Sequence, residues 1–316
     1  MKKVKKIADK ISRVVRILFL VFLVALFIYN RYMLVKEKSL LKPLGQMIEV
    51  DGYNMCIYSE GKGEHTLVFL SGSAIASPIL EYKPIYSLLS ADYNIVVIEK
   101  FGYGFSDIID GERLFETMLR QDREALLKAG IEGPYILCPH SMSGIEAILW
   151  AQTYPEEIEA IIGMDMALPA TYSEEDFIWL KNVQIFMLSV GREMGFLRLF
   201  FNDLSFSDTL SQKEKEIYRA IACEKYVNKN VRNEGKHILE AISLINSKPK
   251  PDIPMLMFIS NGTGVGGESW IMAQKEYASD LSYAKTVQFD CGHSIYLYEK
   301  DQMNQDIREF IESLNK

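Results

Sequence analysis

A chain of 316 residues, 48% hydrophobic and 11% aromatic, has enough apolar side chains for a large core, which excludes a disordered protein. The formal net charge of −7 is unevenly divided, because residues 1–42 hold 11 Lys and Arg but only 2 Asp and Glu. The other residues hold 24 basic and 40 acidic side chains. An acidic body of this size argues against nucleic acid as a partner.

The first predicted element is an apolar helix near the N-terminus. Residues Ile17–Tyr29 are all apolar or aromatic, and flanking residues extend the stretch to about 22, the length of a membrane span. No small-x-small cleavage site follows, which favours an uncleaved anchor over a cleaved signal peptide or a buried helix. Seven Lys and Arg precede the apolar run, so we expect a single-pass membrane protein with a cytoplasmic N-terminus and an extracytoplasmic body.

The body alternates short apolar runs with helical patterns. The predicted strands are Met47–Val50, Met55–Ser59, Thr66–Leu70, Asn94–Glu99, Tyr135–Cys138, Ala160–Asp165, Met255–Ser260 and Thr286–Asp290. The predicted helices between them are Leu114–Lys128, Gly144–Tyr154, Ser269–Ser282 and Gln302–Leu314. Continuous apolar strands that alternate with helices indicate a mostly parallel eight-stranded α/β sheet, here with an antiparallel start.

The alternation stops between the sixth and seventh strands. Residues 168–253 contain no strand pattern, and Glu175–Val190, Gln212–Lys225 and Val231–Ile245 have helical patterns. We therefore predict a helical cap insertion at 168–253 within a body domain of 43–316, which follows a basic N-terminus and anchor at 1–42. Apolar residues in the cap are candidates either for an acyl-binding pocket or for the cap's own core: Phe177, Trp179, Phe186, Met187, Phe196 and Phe200.

Ser141 lies at a sharp corner between the fifth strand and the helix that follows it. In open α/β sheets the active site lies outside the carboxyl ends of the strands, where this corner is expected. A nucleophile at such an elbow needs small residues two positions before and after it, as in G-x-S-x-G. Ser143 meets that need, whereas Pro139 departs from it because its ring crowds the approach of strand to helix. The alternative is an ordinary turn in which Ser141 caps the helix.

Four stretches in order then resemble the α/β-hydrolase fold superfamily, in its single-pass, membrane-anchored bacterial serine-hydrolase form. They are LVFLSGSA, which ends at Ala74, IVVIEKFGYGFSD (95–107), PHSMSGIEAILWAQTYPEEI (139–158) and FDCGHSIYLYEKDQ (289–302). The resemblance covers about residues 45–316. It implies a Ser-His-acid triad and an oxyanion hole made of two backbone amides.

The resemblance assigns the base to His293, which follows the last strand. The acid is less certain, because the loop after the seventh strand, where the family usually has it, contains only Glu268 as a carboxylate. Some haloalkane dehalogenases have the acid after the sixth strand, and Asp165 matches that position. Asp165 is the choice, with Glu268 or no functional acid as alternatives. By position, the oxyanion amides belong to Ser73 and Met142.

Three other patterns do not lead to a cofactor or metal. Residues 262–267 satisfy G-x-G-x-x-G, but about 26 residues after Asp290 are too few to complete a nucleotide-binding half. The four cysteines are too scattered for a zinc site or a disulfide scaffold. The glycine turn at 102–107 is expected to fix a loop near the pocket. Glu99 is expected to cap that turn, with a place in the pocket as the alternative.

The sequence therefore predicts a serine esterase or lipase-like hydrolase that needs no cofactor and acts on a small-molecule ester or similar acyl bond. A lipid-like substrate would suit a membrane-tethered enzyme. Two alternatives remain open. One is a ligand-binding or sensing protein with little or no catalysis, which Pro139 and the absence of the usual acid favour. The other is an acyltransferase that uses the same triad.

Overall fold

The computed structural model describes residues 2–172, 175–200 and 207–314, with the side chains of 4–172, 183–200 and 207–314. The strands are β1 (Gln46–Val50), β2 (Tyr53–Glu60), β3 (Thr66–Leu70), β4 (Asn94–Glu99), β5 (Tyr135–Pro139), β6 (Ile158–Met164), β7 (Met255–Ile259) and β8 (Ala284–Gln288). They form one sheet in the order β1-β2-β4-β3-β5-β6-β7-β8. β2 is antiparallel to both of its neighbours, and the pairs from β4 to β8 are parallel.

The helices are α1 (Lys2–Glu37), α2 (Pro78–Glu81), α3 (Lys83–Leu89), α4 (Phe115–Lys128), α5 (Ser143–Thr153), α6 (Glu175–Met194), α7 (Leu197–Phe200), α8 (Gln212–Lys225), α9 (Lys229–Lys236), α10 (Ile238–Asn246), α11 (Glu268–Ser279), α12 (Ile295–Tyr298) and α13 (Lys300–Leu314). They cover both faces of the sheet. Every residue of β3, β5 and β7 is therefore buried, which explains why these strands have continuous apolar sequences without alternation.

The apolar core has one large cluster on each face of the sheet. On one face, side chains of α4, α5 and α10, such as Met118, Ile148 and Ile242, pack against the sheet. On the other face, α3, α8 and α13 contribute side chains such as Ile85 and Ile311. The eight-stranded, mostly parallel α/β sheet predicted from the sequence is confirmed, and the predicted strand boundaries differ from the observed ones by at most two residues.

Every regular element that the structure describes between β6 and β7 is a helix. The helix predicted at Val231–Ile245 is wrong in one respect: it is two helices, α9 and α10, because the backbone leaves helical geometry at His237 (φ −97°, ψ 8°). Several contacts hold this cap insertion to the loop after β4: for example, Asn228 Nδ2 donates to the Gly102 carbonyl oxygen at 2.6 Å and Lys225 Nζ to that of Ser106 at 2.7 Å. The insertion is thus held at the edge where the parallel strands end.

The N-terminal helix is long and apolar. The stretch Val4–Leu40, which includes most of α1, is long and apolar enough to cross a membrane, although length and composition alone are weak evidence of a span. Most of its large apolar side chains are exposed, whereas Leu26 and Asn30 are buried against the cap insertion. The division into an anchor at 1–42 and a body at 43–316 stays a prediction.

A buried cluster of charges joins the cap insertion to the body. Lys100, which follows β4, lies 3.1 Å from a Glu146 carboxylate oxygen on α5 and 3.0 Å from one of Glu234 on α9. All three side chains are at most 1% exposed. Burial by itself would lower the pKa of Lys100, but the charges of Glu146 and Glu234 outweigh it and raise that pKa. Lys100 is therefore the shared counter-ion of two carboxylates on separate parts of the fold.

We expect Lys100→Met to lower the free energy of unfolding of the full chain in detergent by about 3–5 kcal/mol, because it leaves two buried carboxylates without their cation. Denaturant unfolding followed by circular dichroism measures the change. Lys229→Met is the matched control, since Lys229 pairs with Asp110 in solvent, where an ion pair contributes at most about 1 kcal/mol. Equal losses in the two variants would contradict the buried-counter-ion interpretation.

Candidate active site

Ser141 occupies a tight elbow between β5 and α5. Its φ of +55° is unusual for a residue with a side chain and turns the backbone sharply at the end of the strand. Ser143 stabilises the corner: its hydroxyl donates to the carbonyl oxygen of Leu70 at 2.8 Å and accepts from the His140 amide at 3.0 Å. The elbow is thereby tied to the end of the neighbouring strand β3.

The small residues that this elbow requires are Gly72 and Gly144. A Cβ on Gly72 would lie 2.7 Å from the Ser141 Cβ and 2.8 Å from the His140 carbonyl oxygen. A Cβ on Gly144 would lie 2.2 Å from the Ala167 carbonyl oxygen. Pro139 is instead a regular final residue of β5, paired with Leu70 of β3. The close approaches described at the elbow are those at these two glycines, and the crowding expected from the Pro139 ring stays a prediction.

Asp165 and His293 form a hydrogen-bonded pair. Asp165 follows β6, has a φ of +49° and is completely buried; its Oδ2 lies 2.6 Å from His293 Nδ1. The other carboxylate oxygen, Oδ1, accepts hydrogen bonds from three groups: Ser260 N at 2.9 Å, Trp270 Nε1 at 3.0 Å and Gln274 Nε2 at 3.0 Å. The carboxylate is thus fixed on both oxygens, and one of them is directed at the imidazole.

The electrostatics of this pair keep Asp165 ionised. Burial by itself would raise the pKa of Asp165, but the hydrogen bond and charge of His293, with the donors from Ser260 and Gln274, outweigh it and lower the pKa to about 2. An ionised carboxylate that accepts from Nδ1 selects the tautomer of His293 whose Nε2 is free to accept a proton. This is the state in which an imidazole acts as a base.

Glu268 lies elsewhere. It is the exposed first residue of α11, and the ion pair described for His293 is with Asp165.

The glycine-rich loop before α11 has three glycines with positive φ: Gly262, Gly264 and Gly267. This loop leads into the helix whose Trp270 and Gln274 contact Asp165, so its glycines serve the placement of those donors.

Three groups around the pair were not predicted from the sequence: Trp270 and Gln274, described above, and His140. The His140 ring is buried, its centroid is 4.5 Å from that of His293, and its Nε2 lies 3.3 Å from the His293 carbonyl oxygen. Burial, followed by the charge of His293, lowers the pKa of His140 to about 3, so this ring is neutral. Trp270 and Gln274 could have been predicted from the sequence, since their i, i+4 spacing puts two hydrogen-bond donors on one face of the helix.

The two amides predicted for an oxyanion hole lie on either side of the elbow. Met142 is the N-cap of α5, where backbone N–H groups have no acceptor within the helix. Ser73 follows Gly72, the residue whose backbone abuts Ser141, and the next residue, Ala74, has a φ of +61°. The structure thus places both residues in the segments that flank Ser141.

Glu99 is a structural residue, as expected. Its buried carboxylate accepts from Ser77 Oγ and from the Phe105 amide, both at 2.7 Å, and a Cβ on Gly104 would overlap it. Burial raises the pKa of Glu99, and these hydrogen bonds oppose the rise. The carboxyl group therefore caps the glycine turn after β4 and does not enter the site.

The exposure of three apolar cap residues excludes one of the two alternatives for them. Phe186, Met187 and Phe200 are 53%, 62% and 70% exposed, so they are not the cap's own core, and their place in an acyl-binding pocket stays a prediction. Phe196 is half-buried. The side chains of Phe177 and Trp179 lie outside the described residues.

Comparisons with known proteins agree with this architecture. No family model matches the chain. The protein YbdG of Bacillus subtilis is 36% identical over 304 residues, which cover 93% of this chain and 94% of YbdG. The enol-lactonase of Burkholderia xenovorans superimposes with a TM-score of 0.62 at 16% identity, covering 84% of this chain and 100% of that one. The chain belongs to one family with YbdG, and its fold is that of the α/β-hydrolases.

A second similar structure of the α/β-hydrolase fold is the haloalkane dehalogenase DbeA of Bradyrhizobium elkani. Its TM-score is 0.59 at 15% identity, with 85% of this chain and 98% of that one covered. A third, Cfl2 of Burkholderia cenocepacia, gives 0.65 at 18% identity and covers 84% and 94%. At these identities the likeness establishes the fold. The chemistry has to be argued from the side chains of this chain.

Proposed function

We propose that this protein is a membrane-anchored serine hydrolase that cleaves an ester or similar acyl bond through Ser141, His293 and Asp165. The observation that carries the proposal is the 2.6 Å contact between His293 Nδ1 and a completely buried Asp165, beside a serine held at positive φ in a strand–helix elbow. Hydrolytic enzymes among the proteins of similar fold, such as the enol-lactonase, support a hydrolase.

The proposed reaction has two halves. Ser141 Oγ attacks the acyl carbonyl carbon while His293 Nε2 removes its proton, and the amides of Ser73 and Met142 bind the oxyanion. His293 then donates that proton to the departing alkoxide, which leaves an acyl group on Ser141. In the second half His293 takes a proton from water, the hydroxide attacks the acyl carbon, and the proton returns to Ser141. Asp165 holds the imidazole in place and stabilises its cationic form throughout.

The proposed substrate is a small molecule with an acyl group, and a lipid-like ester fits an enzyme that is tethered to a membrane. No step of the proposed reaction needs a cofactor or a metal ion. Among the described residues no group of three or more His, Cys, Asp or Glu side chains could hold a metal ion.

A fluorophosphonate probe tests the nucleophile, because it reacts covalently with activated serines. We expect the full chain in detergent to be labelled at Ser141, as located by peptide mass spectrometry, and Ser141→Ala to show no labelling. Ser143→Ala is an unsuitable control, since Ser143 supports the elbow, so Ser269→Ala is used instead. An unlabelled, folded wild-type chain that binds a ligand equally well after Ser141→Ala would show a binding protein instead.

The identity of the acid is tested by two carboxylate substitutions. We expect Asp165→Asn to lower kcat for a generic ester by about 10⁴-fold, because the imidazole loses both its orientation and the charge that stabilises its cation. Glu268→Gln should lose less than about tenfold, since its carboxylate is exposed at the start of α11. Near-normal activity of Asp165→Asn would refute the triad: loss on Glu268→Gln would move the acid there, and no loss in either variant would indicate a Ser141–His293 dyad.

The proposed location is the cell membrane, with α1 as a single span, the N-terminus in the cytoplasm and the body outside. The basic residues that precede the apolar run support this orientation. We expect protease added to intact protoplasts to digest the body while an N-terminal tag survives. Detergent lysis, the control, should expose the tag as well. A body that resists protease until lysis would reverse the orientation.

A further inference from the structure

An exposed apolar face lies on the cap insertion. Outside α1, fourteen large hydrophobic side chains of the described residues are exposed, and half of them lie on α6 and α7. We call these seven the cap apolar face: Val183, Phe186, Met187, Leu188, Val190, Leu199 and Phe200. Scattered apolar residues are ordinary on a protein surface, but a group of this size on two consecutive helices indicates a contact surface.

The face has the periodicity of a helix that is buried on one side. Val183, Phe186, Met187 and Val190 recur at i, i+3, i+4 and i+7, so they form one stripe along α6. The opposite side of α6 is occupied: Ser189 and Arg192 are buried, and Arg192 Nη1 donates to the Tyr226 carbonyl oxygen at 2.9 Å. The stripe therefore lies on the exposed side of α6, where the Arg232 guanidinium of α9 lies 6.0 Å from the centroid of the Phe186 ring.

The turn between α6 and α7 is docked on α1. Gly195 lies so close to α1 that a Cβ there would be 2.8 Å from the Asn30 Cβ and 3.1 Å from the Leu26 carbonyl oxygen. Asn30 is 1% exposed and its Nδ2 donates to the carbonyl oxygens of Arg192 and Glu193, both at 3.2 Å. A polar residue in the apolar helix thus satisfies the last carbonyl groups of α6, which a helix cannot satisfy internally.

Ion pairs also stabilise the contact between α1 and the turn that joins α6 to α7. Arg198 on α7 donates to the Asn30 side-chain oxygen at 2.7 Å and forms a bidentate pair with Glu37 at 2.8 and 2.9 Å. Arg31 pairs with Glu193 at 3.0 Å. The end of α1 is therefore joined to the cap insertion by side-chain contacts, which sets the height of α6 and α7 along α1.

The turn between α6 and α7 lies beside the C-terminal end of the apolar run of α1. Leu26, which Gly195 approaches, precedes Arg31 by five residues, so the docked turn reaches roughly 7 Å below Arg31 at 1.5 Å per helical residue. Exposed cations at and beyond this level, Arg31, Lys36 and Lys38, match lipid headgroups. A helix that lies in the membrane interface buries its apolar side by about 5–10 Å, which is the same depth.

We propose that the cap apolar face lies in the boundary between the headgroups and acyl chains of the membrane that α1 spans, so that its partner is the lipid surface. The inference rests on the proposed membrane anchor and is independent of the chemistry at Ser141. A protein partner could cover an apolar stripe too, but this stripe lies on the helix whose C-terminal turn is docked on α1. The cap insertion is then a second membrane contact of the chain.

The test measures the depth of single nitroxide labels on the full chain in phosphatidylcholine–phosphatidylglycerol nanodiscs that hold one copy each. Cys291→Ser removes the one half-buried thiol among the four cysteines, whose other members are buried. Labels are attached at cysteines that replace Met187 and Leu199 on the cap apolar face, Leu20 on α1, and Tyr283 and Leu127, which are exposed on the body. Collisions with oxygen report lipid, and collisions with a nickel chelate report water.

We expect the labels at positions 187 and 199 to have oxygen-to-nickel accessibility ratios several-fold above those at 283 and 127. These ratios should approach that of the label at position 20. A high oxygen-to-nickel ratio at position 20, typical of lipid, combined with a low ratio at 187, typical of water, would overturn the inference and leave the proposed anchor intact. A water value at 20 would overturn both. A label at 187 that is shielded from oxygen and nickel alike would show a protein contact and overturn the lipid assignment.

A charge variant gives an independent readout. Val183→Glu combined with Met187→Glu should lower the ratio at position 199 several-fold, because carboxylates in the interface lift α6 towards water. The unfolding midpoint should stay unchanged, since both side chains are exposed in the fold. Leu127→Glu, on the body, should leave the ratio at 199 unaltered. An unchanged ratio in the double variant would contradict a lipid-facing surface.

Discussion

The hydrogen bonds to Asp165 are the interaction on which the arrangement of the site depends. A carboxylate that is completely buried is stable as an anion only when its oxygens are paired. Here one oxygen faces His293 and the other accepts three donors, from the end of β7 and from α11. The charge therefore requires β6, the loop after β7, α11 and the segment after β8 to meet at one point of the sheet edge.

This requirement also explains the unusual backbone around the site. Asp165 and Ser141 both have positive φ, and each lies within two residues of the end of a strand. The Ala167 amide donates to the Ser141 carbonyl oxygen at 2.7 Å, so the two corners are joined to each other. Gly72 and Gly144 leave the room that the elbow needs. Strain of this kind persists only where surrounding contacts determine the conformation, and the two corners supply such contacts to each other.

Much of the fold could be predicted because its signals are local. The buried strands have continuous apolar sequences, and their boundaries were predicted within two residues. The break at His237 was not predictable, since the residues on both sides continue a helical apolar pattern and the interruption depends on tertiary packing. The position of Asp165 opposite His293 followed from strand order, whereas the support from Trp270 needs the path of the glycine-rich loop, which the sequence does not define.

The cap insertion shows a further limit of sequence reasoning. An apolar stripe such as that of Phe186 and Met187 is the same pattern whether it faces a protein core, a substrate pocket or lipid, because all three environments favour apolar side chains. What separates them is the neighbour of the stripe in the fold. Asn30 shows this: in the sequence it is a polar interruption in an apolar helix, and in the structure it receives the end of α6. The interruption in α1 is thus one side of a contact with the cap insertion, which the sequence of neither helix shows by itself.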